Sequence, residues 1–246
     1  MRAWGGACTA LIVVLVGCST EVETVDPLPV GAGVFYAETD ILLHVQFYSL
    51  DPSGANMLEG DPNCHWLAAM DTQPDGTVLA VGGEDAEAFL VDPRSPTKCV
   101  AQGTLPEIMG AVAVRPDGHV FTVSKDGHTL YELDDQLTQL ARLPVTYGGP
   151  GNATPQLEGI DFAPDGTLYA NDGENSWVKV DPTTGVTTML AFLNVGDIRD
   201  DIDIDANGIV RELSEDQYRT YDLTGKMLTG VELDGGTTFA TAVVAR

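Results

Sequence analysis

Apolar and polar residues alternate along residues 157–190 in short runs that turn residues separate. Alternation with a period of two over four to eight residues is typical of a half-buried β-strand. The pattern predicts strands at 157–163, 167–170, 176–180 and 186–190. Tight turns at 163–166 and 181–185 join them in pairs, because proline pre-sets φ and glycine takes the left-handed position. This stretch therefore predicts one antiparallel four-stranded sheet.

The same two turns recur along the chain. The glycine of the first turn stands at four positions spaced 42, 48 and 42 residues apart: Gly76, Gly118, Gly166 and the degenerate Gly208. An aspartate marks the second turn at five positions with a matching period: Asp51, Asp92, Asp134, Asp181 and Asp222. Repeats of about 42 residues with four strands each are typical of β-propeller blades.

The repeats predict the architecture of residues 30–246. Four blades are predicted at 63–105, 106–145, 155–193 and 196–233. A fifth is split between the chain ends, because residues 33–54 lack a first strand and residues 238–246 stop where its turn would begin. We therefore expect an all-β, five-bladed propeller of four-stranded antiparallel blades. The C-terminal strand would join the N-terminal blade and remove the open edges of a linear array.

Residues 1–29 predict an export signal and an anchor. The apolar run at 10–16 is too short to span a bilayer and is typical of a secretory signal. Leu15-Val16-Gly17-Cys18 resembles the lipobox of bacterial lipoproteins, which implies a signal peptide at 1–17 and a lipidated Cys18. The alternative is a plain signal peptide with an incidental cysteine. Residues 18–29 would then form a flexible tether to the membrane, and Ser19 resembles the sorting pattern that implies the outer membrane of the cell envelope.

The charge limits the classes of partner. Without residues 1–17 the chain has 11 basic and 37 acidic side chains, a formal net charge of −26. Such a charge argues against nucleic acid and against an anionic lipid surface as partners.

The Pro-Asp-Gly repeats resemble the NHL, YVTN and gluconolactonase-like groups of bacterial propellers. In the gluconolactonase-like group, inner-strand residues ligate a catalytic divalent metal, and Glu158 and Asp200 fall in that register. The resemblance implies a cation site there, with Ca²⁺ as the candidate ion. It departs from the group at Ala68, which stands where a first-strand glutamate is expected, and in having five blades where the group has six.

Two smaller motifs each have two interpretations. Cys64 and Cys99 form an even pair in an oxidising compartment, which predicts a disulfide, with unpaired buried thiols as the alternative. The run from Asp203 to Gly208 matches the opening of a D-x-D-x-N-G calcium loop, but its ninth position is Arg211. The repeat register favours a degenerate first turn.

The candidate binding residues lie in loops. The loops between second and third strands share one propeller face and all carry acidic residues, among them Asp172 and Glu174. The longer spacing of 48 residues indicates an insertion around 147–152, in which Tyr147 and Asn152 are the most useful side chains.

No catalytic set is recognisable, since the chain has no G-x-S-x-G elbow and its four histidines show no partner pattern. The sequence therefore predicts a non-catalytic, envelope-anchored lipoprotein that binds a protein, glycan or cation. The alternative is a metal-dependent hydrolase of lactones or sugars that uses Glu158 and Asp200.

Overall fold

The computed structural model describes residues 34–39, 45–50, 56–60, 64, 66–93, 96, 98–149, 154–173, 176–193, 201–214, 217–232 and 239–245. The regular elements in these ranges are all β-strands. In chain order they are β1 (Val34–Thr39), β2 (Val45–Leu50), β3 (Asn56–Gly60), β4 (Leu67–Thr72), β5 (Val78–Gly82), β6 (Glu87–Val91), β7 (Val100–Thr104), β8 (Met109–Val114), β9 (Val120–Ser124), β10 (Thr129–Leu133), β11 (Gln139–Pro144), β12 (Thr146–Tyr147), β13 (Leu157–Phe162), β14 (Leu168–Asp172), β15 (Ser176–Val180), β16 (Val186–Phe192), β17 (Ile202–Ile204), β18 (Val210–Ser214), β19 (Gln217–Tyr221), β20 (Met227–Glu232) and β21 (Phe239–Ala245).

The strands form antiparallel sheets in a β-propeller arrangement. Three sheets take consecutive strands, in the orders β4-β5-β6-β7, β8-β9-β10-β11 and β17-β18-β19-β20. A fourth has the order β21-β1-β2-β3, in which the last strand of the chain pairs antiparallel with the first. No helix within the described ranges is long and apolar enough to cross a bilayer.

The remaining sheet corrects the prediction of four antiparallel strands per blade. Its order is β12-β16-β15-β14-β13, and β12 pairs with β16 in the parallel sense. The Thr146 amide donates to the Gly185 carbonyl at 3.1 Å, and the Gly148 amide to the Thr187 carbonyl at 2.8 Å. The long connection between β11 and β13 therefore covers part of the outer edge of this sheet.

The first turn has the predicted geometry in all four described copies. Gly76, Gly118, Gly166 and Gly208 have φ of +84°, +89°, +82° and +76°. The amide of each glycine donates to the carbonyl three residues earlier, at 2.8–2.9 Å. The aspartate of the turn adds a second constraint: Asp165 accepts the Thr167 amide at 2.9 Å. In these four sheets the first strand of the repeat is the inner strand: β4, β8, β13 and β17. Each of these turns directly follows that strand and therefore fixes where it ends.

Apolar side chains fill the interfaces between successive sheets. Phe121 of β9 meets Phe162 of β13 edge to face, with ring centroids 5.1 Å apart. In the next interface, Trp177 of β15 is buried with Ile202 of β17 and Val210 of β18. The Trp177 indole donates to the Leu223 carbonyl at 3.1 Å, which satisfies its N–H inside this cluster. Each of these two interfaces therefore has its own apolar core.

Cys64 and Cys99 are joined in a disulfide, with their Cα atoms 5.5 Å apart. Cys64 precedes the innermost strand of its sheet and Cys99 precedes the outermost, β7. Both cysteines pack against the apolar cluster that contains Val45 of β2 and Leu67 of β4. The bond therefore ties the connection that enters this sheet to the sheet's outer strand.

Candidate functional site

One end of the propeller brings together the starts of the first strands and the loops that follow the second strands. The Gly83 amide donates to the Trp66 carbonyl, the Lys125 amide to the Ile108 carbonyl, and the Gly173 amide to the Gln156 carbonyl, at 2.9–3.0 Å. We call this end the loop face; its described residues are 64, 66, 83–87, 105–108, 125–128, 154–156 and 173. The Pro-Asp-Gly turns lie at the opposite end.

The loop face carries exposed acidic side chains on two neighbouring sheets. Glu84 and Glu87 flank the β5–β6 loop, Glu107 lies between β7 and β8, and Asp126 lies between β9 and β10; all four are exposed. Asp126 accepts the Ser124 hydroxyl at 2.6 Å, and this hydrogen bond, with the His128 amide, lowers its pKa. The predicted acidic character of this face is therefore present where the structure describes it. Asp40, Glu174, Glu215 and Asp216 lie outside the described residues.

A lysine and a tryptophan lie among these acids. The Lys125 ammonium lies 5.0 Å from the centroid of the Trp66 ring and donates to the Gly83 carbonyl at 2.7 Å. A Cβ placed on Gly83 would come within 3.1 Å of that ring, so the ring lies directly over the glycine. This arrangement fixes Lys125 between two sheets.

The predicted metal pair is described only in part. Glu158 is the second residue of β13, and its carboxylate lies 3.0 Å from where a Cβ on Gly173 would be. Asp200 lies outside the described residues. In the described ranges no three His, Cys, Asp or Glu side chains are arranged to hold a metal ion. The cation site at Glu158 and Asp200 therefore stays a prediction.

Two of the four predicted binding residues contact each other. Tyr147 of β12 donates its hydroxyl hydrogen bond to the carboxylate of Asp172, the last residue of β14. Asp172 also accepts the Ser176 amide at 2.7 Å. Contrary to the expectation of an exposed loop acid, Asp172 is buried, because these donors and β12 cover it. Asn152 and Glu174 lie outside the described residues.

The structure also assembles a cluster that the sequence analysis missed. We call it the inner carboxylates: Asp71 of β4, Asp161 of β13, Asp203 of β17 and the adjacent Asp201, all buried. The amides of Thr72 and Val114 both donate to Asp71 at 2.5 Å. The amides of Phe162 and Ile204 donate to Asp161 in the same way. Each of these two carboxylates therefore bonds its own strand and the inner strand of the following sheet.

Burial and the repulsion of nearby carboxylates raise the pKa of three of these acids, Asp71, Asp161 and Asp201. Burial, and then the charge of Asp203, raises the pKa of Asp71 to about 8, although the two amides oppose the shift. Burial, with the charges of Asp71 and Asp203, raises the pKa of Asp161 well above its usual value. The pKa of Asp201 is raised mainly by burial.

A regular spacing in the sequence identifies three of these acids. Asp71, Asp161 and Asp203 each stand three residues before the first turn: before Pro74, Pro164 and Ala206. Ala113 occupies the same position before Pro116. The spacing alone does not show that these aspartates are buried, because an aspartate beside a turn is usually solvated.

The candidate calcium loop is a turn bound to a buried arginine. Asp205 accepts the amides of Asn207 and Ile209 at 2.8 and 2.9 Å, as the degenerate turn requires. Arg211 is 2% exposed; it donates to Asp205 at 2.8 Å and lies 3.6 Å from Asp203. The Arg211 guanidinium therefore neutralises the carboxylates of Asp203 and Asp205, which would otherwise attract a cation. This pairing favours the turn interpretation.

A second buried acid lies on the same sheet. Glu212 of β18 accepts the Tyr221 hydroxyl at 2.5 Å and lies 3.5 Å from the Arg219 guanidinium. Burial raises the pKa of Glu212. Glu212 and Tyr221 line a small pocket between two sheets, together with Asn171 and Trp177.

Comparison with known proteins assigns a fold and no activity. No protein-family model matches the chain, and no curated protein matches it. A putative gluconolactonase is similar over 88% of this chain and 86% of its own, at 16% identity and a TM-score of 0.54. A chain of the nidogen–laminin complex is similar over 88% and 82%, at 14% identity and a TM-score of 0.56. The hydrazine synthase of Kuenenia stuttgartiensis is similar at 17% identity and a TM-score of 0.47, and the match spans only 49% of that chain.

The likenesses to the putative gluconolactonase and to the nidogen–laminin chain support a β-propeller fold. At such identities they carry nothing about ligands or chemistry.

Tyr147→Phe tests whether that tyrosine stabilises the fold. The variant leaves the buried Asp172 carboxylate without its hydroxyl donor, so we expect a loss of about 1–3 kcal/mol in the free energy of unfolding. Urea denaturation followed by circular dichroism measures it. Tyr131→Phe is the matched control, because the hydroxyl of Tyr131 bonds an exposed acid, Glu107, and should cost less. Equal losses in the two variants would contradict the role given to Tyr147.

Proposed function

We propose that this chain is an envelope-anchored propeller that binds a partner protein with a basic surface through its loop face. The observation that carries the proposal is the set of four exposed acids on that face, Glu84, Glu87, Glu107 and Asp126, held on two packed sheets. Clustered like charge on a rigid surface steers and orients an oppositely charged partner.

The proposal includes a closed ring of five blades. The inner strands are in contact in the cyclic order β4, β8, β13, β17, β21 and back to β4. The pairing of β21 with β1 supports closure by the C-terminal strand. A closed ring has no free sheet edge at its ends, so the loops have a stiff base.

The anchor is the lipobox cysteine. Cys18 would carry the lipid after removal of residues 1–17, and the following tether would leave the propeller free to meet its partner at the membrane surface. Several acyl chains give stable attachment where one chain gives only marginal binding.

A capture experiment tests the binding surface. The bait is the chain from residue 19 with a C-terminal tag, incubated with envelope extract at low ionic strength. We expect the triple variant Glu84→Gln, Glu87→Gln, Glu107→Gln to lose the captured basic protein. The charge-matched control Asp75→Asn, Asp135→Asn, Asp165→Asn removes three exposed acids from the opposite end and should capture it like the unmodified bait. Equal capture by both variants would rule out the loop face.

A second experiment tests the anchor. Cys18→Ala should leave the propeller folded and release it from membranes, because the acceptor for the lipid is gone. Membrane fractionation followed by a carbonate wash measures the release, with circular dichroism as the control for folding. A Cys18→Ala protein that stays with the washed membranes would contradict lipidation.

A metal-dependent hydrolase is the second candidate. It rests on two predicted metal ligands. Glu158 lies beside Gly173 of the loop face, and Asp200 lies outside the described residues. Metal-dependent turnover of a lactone or glycoside that is lost in Glu158→Ala with Asp200→Ala would favour it over the binding role.

A further inference from the structure

We propose that the inner carboxylates form a proton-controlled lock between the propeller's sheets. While they are neutral, they can be buried together between the inner strands. When several of them ionise, each amide bond to a carboxyl oxygen strengthens, but the cost of several buried like charges exceeds that gain and weakens the contact between the strands. This lock lies in the interior of the ring, away from the loop-face acids of the proposed binding site, and it does not depend on the lipid anchor.

Three hydrogen bonds of the inner carboxylates connect one sheet to another. The Val114 amide of β8 donates to Asp71 of β4 at 2.5 Å. The Ile204 amide of β17 donates to Asp161 of β13. The Met70 amide of β4 donates to Asp201 at 3.1 Å, although the two residues are 131 positions apart. These three bonds connect inner strands that share no backbone ladder.

Charge makes the lock sensitive to protons. Three carboxyl groups, on β4, β13 and β17, influence one another through space, and Arg211 is the described cation that pairs with one of them, Asp203. The strands packed against them bring little further positive charge: β5, β8, β9 and β21 have no titratable side chain. The other titratable groups on β13, β14, β18 and β19 are Glu158, Tyr169, Asp172, Glu212, Tyr218, Arg219 and Tyr221.

The direction of the pH effect follows from burial. Moving a carboxylate out of water is costly, and a second or third like charge nearby adds to the cost. The folded-state pKa of Asp71, Asp161 and Asp201 is raised, to about 8 for Asp71, above an unfolded value of about 3.9. Between those values the folded chain holds protons that the unfolded chain has lost. The stabilisation is therefore complete below about pH 4 and is lost as pH rises through about 8.

The aspartates of the exposed turns affect the free energy of unfolding in the opposite direction, and they do so at lower pH. Hydrogen bonds lower the pKa of Asp117, Asp165, Asp181 and Asp222. Their stabilisation is present above the unfolded pKa and is lost as pH falls through the folded pKa. Stability should therefore be greatest in mildly acidic solution and should decline on both sides.

Proton release on unfolding tests the lock directly. The chain from residue 19 to residue 246 is unfolded with urea at pH 6.5, in a weakly buffered solution that contains a pH indicator. We expect release of about one proton or more per molecule, and an unfolding equilibrium constant that rises at least about tenfold between pH 5.5 and 8.5. No release, or proton uptake, would overturn the proposal.

Two variants assign the effect to the cluster. On unfolding, Asp71→Asn should release fewer protons than the unmodified chain. Asp165→Asn, at an exposed turn, should release as many protons as the unmodified chain. Equal release from Asp71→Asn and the unmodified chain would overturn the assignment. Should Asp71→Asn not fold, ¹³C NMR titration of the carboxyl carbons in the unmodified chain decides the question. A midpoint above about pH 6 for Asp71 or Asp161 supports the lock, and midpoints all below about pH 5 overturn it.

Discussion

A buried carboxylate that accepts a backbone amide of the next sheet is the interaction on which this propeller most depends. Within the described ranges the backbone ladders lie inside single sheets, and a backbone bond between sheets, such as that from the Leu157 amide to the Gly127 carbonyl at 3.0 Å, is isolated. Most of the contact between sheets is apolar, which has no direction. The hydrogen bonds from the Val114 amide to Asp71 and from the Ile204 amide to Asp161 are directional. They therefore fix the position of one inner strand along its neighbour.

The same constraint positions the loop face. The inner strands β4, β8 and β13 start at that face, and the entry of each is bonded to the loop after the second strand of its sheet, as at Gly83 and Trp66. Gly127 shows how close these elements lie, because a Cβ placed there would come within 2.7 Å of the Leu157 carbonyl. A shift of one inner strand along its neighbour would therefore move the adjacent loop and the acids that it carries.

Much of the fold was predictable because its turns are local. Proline, aspartate and glycine at fixed positions specify a turn without help from distant residues, and the strand predicted at 176–180 ends where the pattern places it. The strand predicted at 167–170 runs on to Asp172. The disulfide between Cys64 and Cys99 was predicted from their even count and from an expected oxidising compartment. Features that depend on tertiary contacts were not predictable in the same way.

Three such features illustrate the limit. Leu137 has φ of +61° where the corresponding turn has Gly225, and its burial in an apolar cluster offsets the strain. The strand at 146–147 is too short to show periodicity. Asp71 and Asp161 look like solvated turn residues, and only the packing of the next sheet makes them buried acceptors.

Site-resolved amide exchange tests the central claim most directly. At one pH, exchange of the Val114 and Ile204 amides is compared by NMR in the unmodified chain and in Asp71→Ala. The account predicts slow exchange of both amides in the unmodified chain. In the variant, Val114 should exchange at least about tenfold faster, while Ile204, bonded to Asp161, changes only as far as overall stability does. Equal acceleration of the two amides, or fast exchange of Val114 in the unmodified chain, would contradict it.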